Sequence, residues 1–446
     1  MLTTDQILAL SPDEASAKAA KSLVNHAKWP TLGRDEVAIW GECQGSGSKP
    51  YQVIIDTGGP TFKCSCPSRK FPCKHGLALY LLLAQKESAF SGTSAPTWVG
   101  EWLSARLQRA EKKVEKAAQA EAKPADPAAA AKREAKRFER MLGGAQELER
   151  WLSDLIRHGI AGLPAKPPSF WREAAARLID AQAGGLATLL RQLEGAVASG
   201  EGWHERALQL MGRLQLLLEA MHGFETLPEP LRCDVRSTVG WPLDKEEVLS
   251  SGERVHDVWQ VLGIGHDENE RLWERRVWLR ARDSERAALL LDFSHGGRRF
   301  DQLFSPGAAF RSTLCFFPSA FPLRALLVDG PVEENSPPQI PPLLTWDAAL
   351  ERVADAVSHQ PFFQRLPLRL DHAVPLMRNG HWLARDEEGR EAPLRLPDDD
   401  GWQLLALSGG RPLNLFGEWH GEFLRPLSAW IGNSPTPCWT EGVNAA

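Results

Sequence analysis

The sequence predicts an α+β protein of several domains: a small N-terminal ββα module, a central helical bundle and a C-terminal antiparallel β-rich region. Three observations carry this division. Residues 51–75 run from strand-like alternation through two closely spaced Cys and Cys/His pairs, and a Leu-rich stretch follows. Residues 145–222 hold four segments with apolar residues at helical spacing. From about Leu231, short alternating runs separated by turns replace that period. A chain of 446 residues accommodates several domains. The expected units are an N-terminal module over 1–95, a linker over 96–143, a helical domain over 144–225, a β-rich domain over 226–333 and a second β-rich subdomain with a leading helix over 345–446.

Residues 3–10 read as a short helix. Ser11-Pro12-Asp13-Glu14 then forms a capping box with Pro at the first helical position, and the helix it starts runs to about Asn25. GSGSKP at 45–50 lacks both the spacing of a phosphate loop and a following helix, so it reads as a hairpin loop. YQVIID, the turn residues Gly58, Gly59 and Pro60, and TFKCSC make the next β-hairpin. On an extended strand Cys64 and Cys66 point to one face. Pro67 and Pro72 mark a loop, and GLALYLLLAQK reads as a helix whose first turn carries or adjoins His75.

SGTSAPT at 91–97 breaks the chain, and Trp98, Trp102 and Leu103 begin another helical piece. From about Arg106 to Arg140 the chain is low-complexity, rich in Ala, Lys, Arg and Glu and interrupted by Pro124 and Pro127. That composition predicts a partly helical, mobile linker, either a solvated tether or a basic arm contacting nucleic acid or an acidic partner. Leu148, Trp151, Leu152, Leu155 and Ile156 define the first amphipathic helix, with Gly159 as its C-cap. Segments 170–182, 185–198 and 203–222 complete a bundle. The runs VWQVLGI, RRVWLRA, ALLLDFS, TLCFFPS and LRALLVD read as strands. The Pro-rich run 334–344 marks a boundary, and a helix at 346–358 precedes further strands. VWLRARDSERAALLL (277–291) is echoed by HWLARDEEGREAPLRL (381–396), which suggests a repeated hairpin or shared hairpin grammar.

Cys64, Cys66, Cys73 and His75 form C-x-C-x6-C-x-H. Three thiolates and an imidazole complete the tetrahedral shell of a structural Zn2+ and leave no open position for water, while calcium or magnesium would require oxygen donors. A disulfide is the weaker reading, since a C-x-C pair is poorly placed for an internal bridge. Cys43, Cys233, Cys315 and Cys438 are scattered singly and read as buried hydrophobes in a reducing compartment. With four ligands present, Cys43 is not expected as a fifth.

CSCPSRKFPCKH resembles the SWIM-type zinc finger, whose signature is CxC, a variable spacer and CxH. The resemblance covers roughly residues 35–85 and implies a zinc-bound ββα module that contacts DNA or proteins. The rest of the chain resembles bacterial SWIM zinc finger proteins.

Net charge is −5, which argues against a general nucleic-acid coat protein. Any basic surface must be local, and Lys63, Arg69, Lys70 and Lys74 cluster around the metal ligands with Phe71 among them. These five are the candidate contacts to a partner. No apolar run is long enough to span a bilayer, and MLTTDQILAL lacks the features of a secretory signal, so a cytoplasmic protein is expected. No metalloprotease, nucleophile-elbow, Walker or Rossmann pattern occurs. HDENE at 266–270 reads as a solvated loop, and His295-Gly296-Gly297 as a hairpin turn. The expectation is a non-enzymatic scaffold or adaptor in a protein complex, with nucleic-acid binding through the basic finger and linker as the alternative.

Overall fold

In the computed structural model the described residues are 3–35, 37–45, 49–57, 61–68, 70–90, 94–105, 127–269, 272–295, 298, 300, 302–334 and 344–442. The N-terminal module holds helices α1 (Thr4–Ala9), α2 (Glu14–Lys21) and α3 (Lys74–Gln85) and strands β1 (Thr31–Arg34), β2 (Ala38–Cys43), β3 (Tyr51–Asp56) and β4 (Thr61–Cys64). The expected hairpin is part of a four-stranded antiparallel sheet in the order β1-β2-β3-β4. Period-two alternation works on both of its faces. Ile39, Val53 and Ile55 pack against α3, while Trp40 and Ile54 meet Val99 of α4 (97–105). The capping box expected at Ser11 is not formed: Asp13 is the cap, accepting from the Ser16 N–H, and the helix ends at Lys21 rather than near Asn25. A capping box does form one helix earlier, between Thr3 and Gln6.

The helical region is longer than the periodicity suggested at either end. α5 spans Pro127–His158, so Pro127 heads a helix where an interruption was expected. Proline suits a helix start because its missing N–H would have no partner there. The rest of the expected linker, 106–126, lies outside the described residues. α6 (Pro168–Asp180), α7 (Gly184–Val197) and α8 (Trp203–His222) follow, and then α9 (Glu229–Val239) and α10 (Lys245–Ser251) occupy the start of the span expected to be β-rich. Val235 and Val239 of α9 join the bundle core, which includes Met141, Leu148, Leu190 and Leu217. Gly185 lets α7 approach α9, since a Cβ there would lie 2.0 Å from the Thr238 carbonyl.

The C-terminal region consists of two strand sets with one plan. The first has β5 (Arg254–Asn269), β6 (Leu272–Ala281), β7 (Ala287–His295), β8 (Ala309–Phe316), β9 (Arg324–Leu327) and β10 (Val332–Glu333). β5 pairs with β6 and β8, β6 with β7, and β9 with both β7 and β8, so the first five strands close into a ring. The β7–β9 pairing is parallel, within an otherwise antiparallel set. Trp259, Leu279, Leu290, Leu314 and Ala325, one from each strand, fill the interior. This is the strand order of an oligonucleotide/oligosaccharide-binding (OB) barrel.

After α11 (Trp346–His359) the second set repeats the plan with β11 (Leu366–Arg378), β12 (His381–Arg385), β13 (Glu391–Pro393), β14 (Leu413–Trp419) and β15 (Leu424–Trp430), followed by an edge strand β16 (Trp439–Thr440). A parallel bridge between Leu394 and Leu424 joins its third and fifth strands. α12 (Asp398–Ser408), in a stretch expected to be only strands, sits between its third and fourth strands. The long first strand of each set carries a register shift, at Val261/Gly263 and at Leu370/Ala373. The two echoing segments are β6–β7 and β12–β13, the second and third strands of each set, and their turns place Glu285 (φ 58°) and Gly389 (φ 85°) in the left-handed region. The sets pack through Trp278 and Leu323 on one side and Phe416 and Leu427 on the other. The N-terminal module docks on the first barrel, where Tyr80 Oη donates to Glu333 Oε1 at 3.0 Å and Ser305 Oγ donates to the Gln6 carbonyl at 3.1 Å. Among the described residues no helix is long and apolar enough to cross a membrane.

Candidate metal centre

The ligand atoms of Cys64, Cys66, Cys73 and His75 all lie within 4.8 Å of one another. Each arrives from a different local context. Cys64 ends β4, opposite Val53 in the ladder. The strand stops there, so Cys66 lies in a bend rather than on the strand face expected for it. The Ser65 N–H still donates to the Gln52 carbonyl at 3.0 Å, and Ser65 Oγ accepts from the Gln52 N–H at 2.9 Å, which anchors the bend. Cys73 is the N-cap residue of α3, and His75 is in its first turn. The helix start therefore delivers two donors together, as the C-x-H spacing predicts.

The spacing approaches that of a compact tetrahedral ion, with the widest pair of donors within 4.8 Å. Metal–sulfur bonds of about 2.3 Å imply donor separations of roughly 3.5–3.8 Å in a zinc site. Cys64 Sγ lies 3.8 Å from His75 Nδ1. The backbone supports anionic sulfur. The N–H groups of Cys66, Ser68 and Gly76 donate to the sulfurs of Cys64, Cys66 and Cys73 respectively, and each bond favours the thiolate. Crowding splits the thiols. Cys64 is pushed up, chiefly by its hydrogen bond to Cys73 and then by burial, whereas that same bond first, against burial, holds Cys73 down to about 4. Burial is the main cause raising Cys66. Three sulfurs converging this closely in a half-buried pocket suit a cation at their centre.

The surroundings are aromatic and closely packed. The Tyr51 ring lies 4.9 Å from that of His75. Gly76, directly after the imidazole, faces Phe62, whose Cδ1 would be 2.7 Å from an added Cβ. Cys43 is fully buried nearby, and burial raises its thiol to about 11. It does not belong to the four-residue cluster.

The candidate contact residues divide. Lys63 and Lys74 are exposed. Lys70 is exposed as well, but its Nζ pairs with Asp13 Oδ2 at 2.8 Å. Phe71, the one aromatic candidate, is half-buried with its ring edge-on to Phe62 at 6.4 Å. Arg69 lies outside the described residues. Sequence reasoning missed Lys28, which joins Lys70 and Lys74 on the wall of an open groove of about 840 Å³ between α2 and the ligands. Its only sequence signal was its positive charge, far from the motif.

Two family models match the chain. The SWIM zinc finger model matches residues 51–84, and the SWIM-associated four-helix bundle domain matches residues 136–239. The first match contains all four clustered ligands, and the second runs from within α5 to the end of α9. No curated protein and no solved structure matches the chain. The chain thus carries a SWIM zinc finger at residues 51–84, whose Cys/His cluster suits zinc, and a SWIM-associated four-helix bundle domain at residues 136–239.

Proposed function

We propose that this protein is a non-enzymatic, cytoplasmic scaffold or adaptor, in which one structural zinc ion shapes a module that contacts partner proteins. The observation that carries this reading is the enclosure of α3: His75 through Leu83 are all buried, between the sheet and the helices α1 and α2. A helix that reads bases must enter the major groove with an exposed face. α3 has no such face to offer. Four protein donors also fill the coordination shell, which suits a folding role rather than activation of water.

The second reading, nucleic-acid binding, is favoured by Lys28, Lys70 and Lys74 on one groove. The Lys70–Asp13 pair reduces the charge that groove presents.

Both readings are tested with the zinc-loaded full chain. A defined protein partner should co-purify with it in fixed stoichiometry and be lost from Cys73→Ser, and neither duplex nor single-stranded DNA should bind at low salt. Tight DNA binding with a steep salt slope, flattened by Lys28→Ala with Lys74→Ala, would overturn the scaffold reading.

A further inference from the structure

A cavity of about 300 Å³ lies between the two barrels. Its floor is the outer face of the first barrel, with Leu262 on β5, Arg280 on β6 and Ala287 on β7, and Phe321 comes from the β8–β9 connection. OB barrels take ligands on the face of strands 2 and 3 and at the strand 4–5 loop. β6, β7 and the β8–β9 connection are those elements here. The second barrel and α11 roof this face, with Val353 and Ala356 of α11 lining the cavity. A polymer cannot lie along a roofed face, but the remaining volume matches a small-molecule site.

The lining is apolar apart from Arg280, Arg352 and Arg369 and the acids Glu285 and Asp355. Arg280 pairs with Glu285 at 3.1 Å, and Arg369 Nε donates to the buried Asp371 at 2.6 Å. The Arg352 side chain makes no hydrogen bond or ion pair among the described residues. Burial first, with Arg369 and Arg352 close by, pushes the Arg280 guanidinium down against the pull of Glu285. Three guanidiniums line one cavity, two of them paired with acids, and an anion placed there would give the Arg352 side chain a partner.

We propose that this cavity binds a small amphipathic anion: an apolar ring or short chain held between the barrel face and α11, with one carboxylate, sulfonate or phosphate group facing Arg280 and Arg352. The site is separate from the metal centre and does not depend on the scaffold reading.

The test uses the full zinc-loaded chain and the fluorescent probe 1-anilinonaphthalene-8-sulfonate. One probe should bind per chain, saturably, and decanoate should displace it while decanol does so at least tenfold less well. Arg352→Gln, an exposed change that leaves packing intact, should weaken the sulfonate probe about tenfold, the effect of one charge-assisted hydrogen bond. The same variant should leave the neutral analogue N-phenyl-1-naphthylamine unchanged. Val353→Trp should exclude both probes. No saturable binding, equal displacement by decanoate and decanol, or a sulfonate affinity indifferent to Arg352→Gln would overturn the assignment.

Discussion

Arg276 of the first barrel and Glu418 of the second form a buried ion pair, Nε to Oε1 at 2.6 Å, with the glutamate side chain fully enclosed. Glu418 also accepts from Trp278 Nε1 at 2.8 Å. Arg276 reaches Asp267 and Glu274 as well, and Arg365 and Arg425 from the second barrel close on Asp267. The two barrels thus share a network of charges along their contact. Such a network penalises loss of one member more than it rewards the whole, because the survivor is left charged and dry.

Glu418→Ala should accordingly destabilise the two-barrel unit by about 3 kcal/mol, the low end for a broken buried pair, since Arg276 keeps two acidic partners. Chemical denaturation followed by circular dichroism and tryptophan fluorescence measures this. A change below about 0.5 kcal/mol would show that the contact is carried by Trp278, Phe416 and Leu427 packing alone.

The same network sets an acid limit. Burial acts to raise the Asp267 carboxyl, but the Arg425 bond and the Arg276 and Arg365 charges hold it down to about 2. Glu418 is likewise held low by Arg276 despite its burial. A depressed carboxyl stabilises the fold fully above its unfolded value, near 4, and loses that contribution as pH falls through the folded value. Glu441 works the other way, because burial raises it, so acidification toward its unfolded value relieves a cost. His266, pushed down to about 2 by burial and then by Arg298 and its neighbouring arginines, and His420, pushed down to about 4 chiefly by burial, stay neutral in the fold and cost it stability once pH falls below their unfolded value, near 6.5. The melting temperature of the barrels should therefore fall from about pH 6.5 downward, with a further drop between about 4 and 2 as the carboxylates protonate. Asp267→Asn should flatten that final drop, which a pH series of thermal melts by circular dichroism would resolve.

Local chemistry was legible in the sequence, and long-range closure was not. The C-x-C and C-x-H pairs announced the centre because each pair is positioned by one turn of chain. The run from Leu210 to Met221 announced α8 because burial on one face leaves a helical period. α9 was missed because Pro228, Arg232, Arg236 and the polar residues between them dilute that period, and only tertiary contacts of Val235 and Val239 bury it. α12 was missed for a similar reason, since it opens with three aspartates that favour a helix N-terminus but resemble a loop. Phe71 stood among the candidate contacts because its place in the spacer does not show whether its ring faces out; the structure turns it onto Phe62. The repeated hairpin was visible as a word echo, yet its meaning needed the parallel contacts Leu289–Arg324 and Leu394–Leu424, which no local pattern encodes.

Loss of the metal should act on one part of the chain. Cys73→Ser removes a thiolate that is also the N-cap residue of α3, so zinc content should fall below stoichiometry and the module around residues 3–105 should become protease-sensitive. Structural zinc is worth roughly 10–16 kcal/mol in small finger peptides, as much as the net stability of a typical domain. The bundle and barrels have their own cores and should melt as before. Limited proteolysis with metal analysis checks both halves of this expectation. A variant that lost zinc yet resisted protease would mean that the helices α1 and α2 and the barrel contact hold the module without the ion.

Gly76 offers the finest probe of how the core positions the imidazole. An alanine there would put Cβ 2.7 Å from Phe62 Cδ1. Phe62 cannot swing aside, because it is buried and its ring is flanked edge-on by Phe71 at 6.4 Å and Tyr80 at 6.0 Å. The start of α3 must move instead, and it carries His75. Gly76→Ala should therefore cost about 1–3 kcal/mol, as overpacking does, and weaken zinc retention in a chelator competition at the same time. Gly100→Ala is the contrast. Nothing lies within 4 Å of its added Cβ, and it sits in α4, so helix propensity should make it neutral or stabilising by up to about 1 kcal/mol. Pairing Gly76→Ala with Phe62→Leu should restore part of both losses, since the smaller side chain vacates the space the new methyl needs. If Gly76→Ala lowered stability but left zinc retention untouched, the imidazole would be held by Tyr51 and the neighbouring sulfurs rather than by the packing of α3 on Phe62.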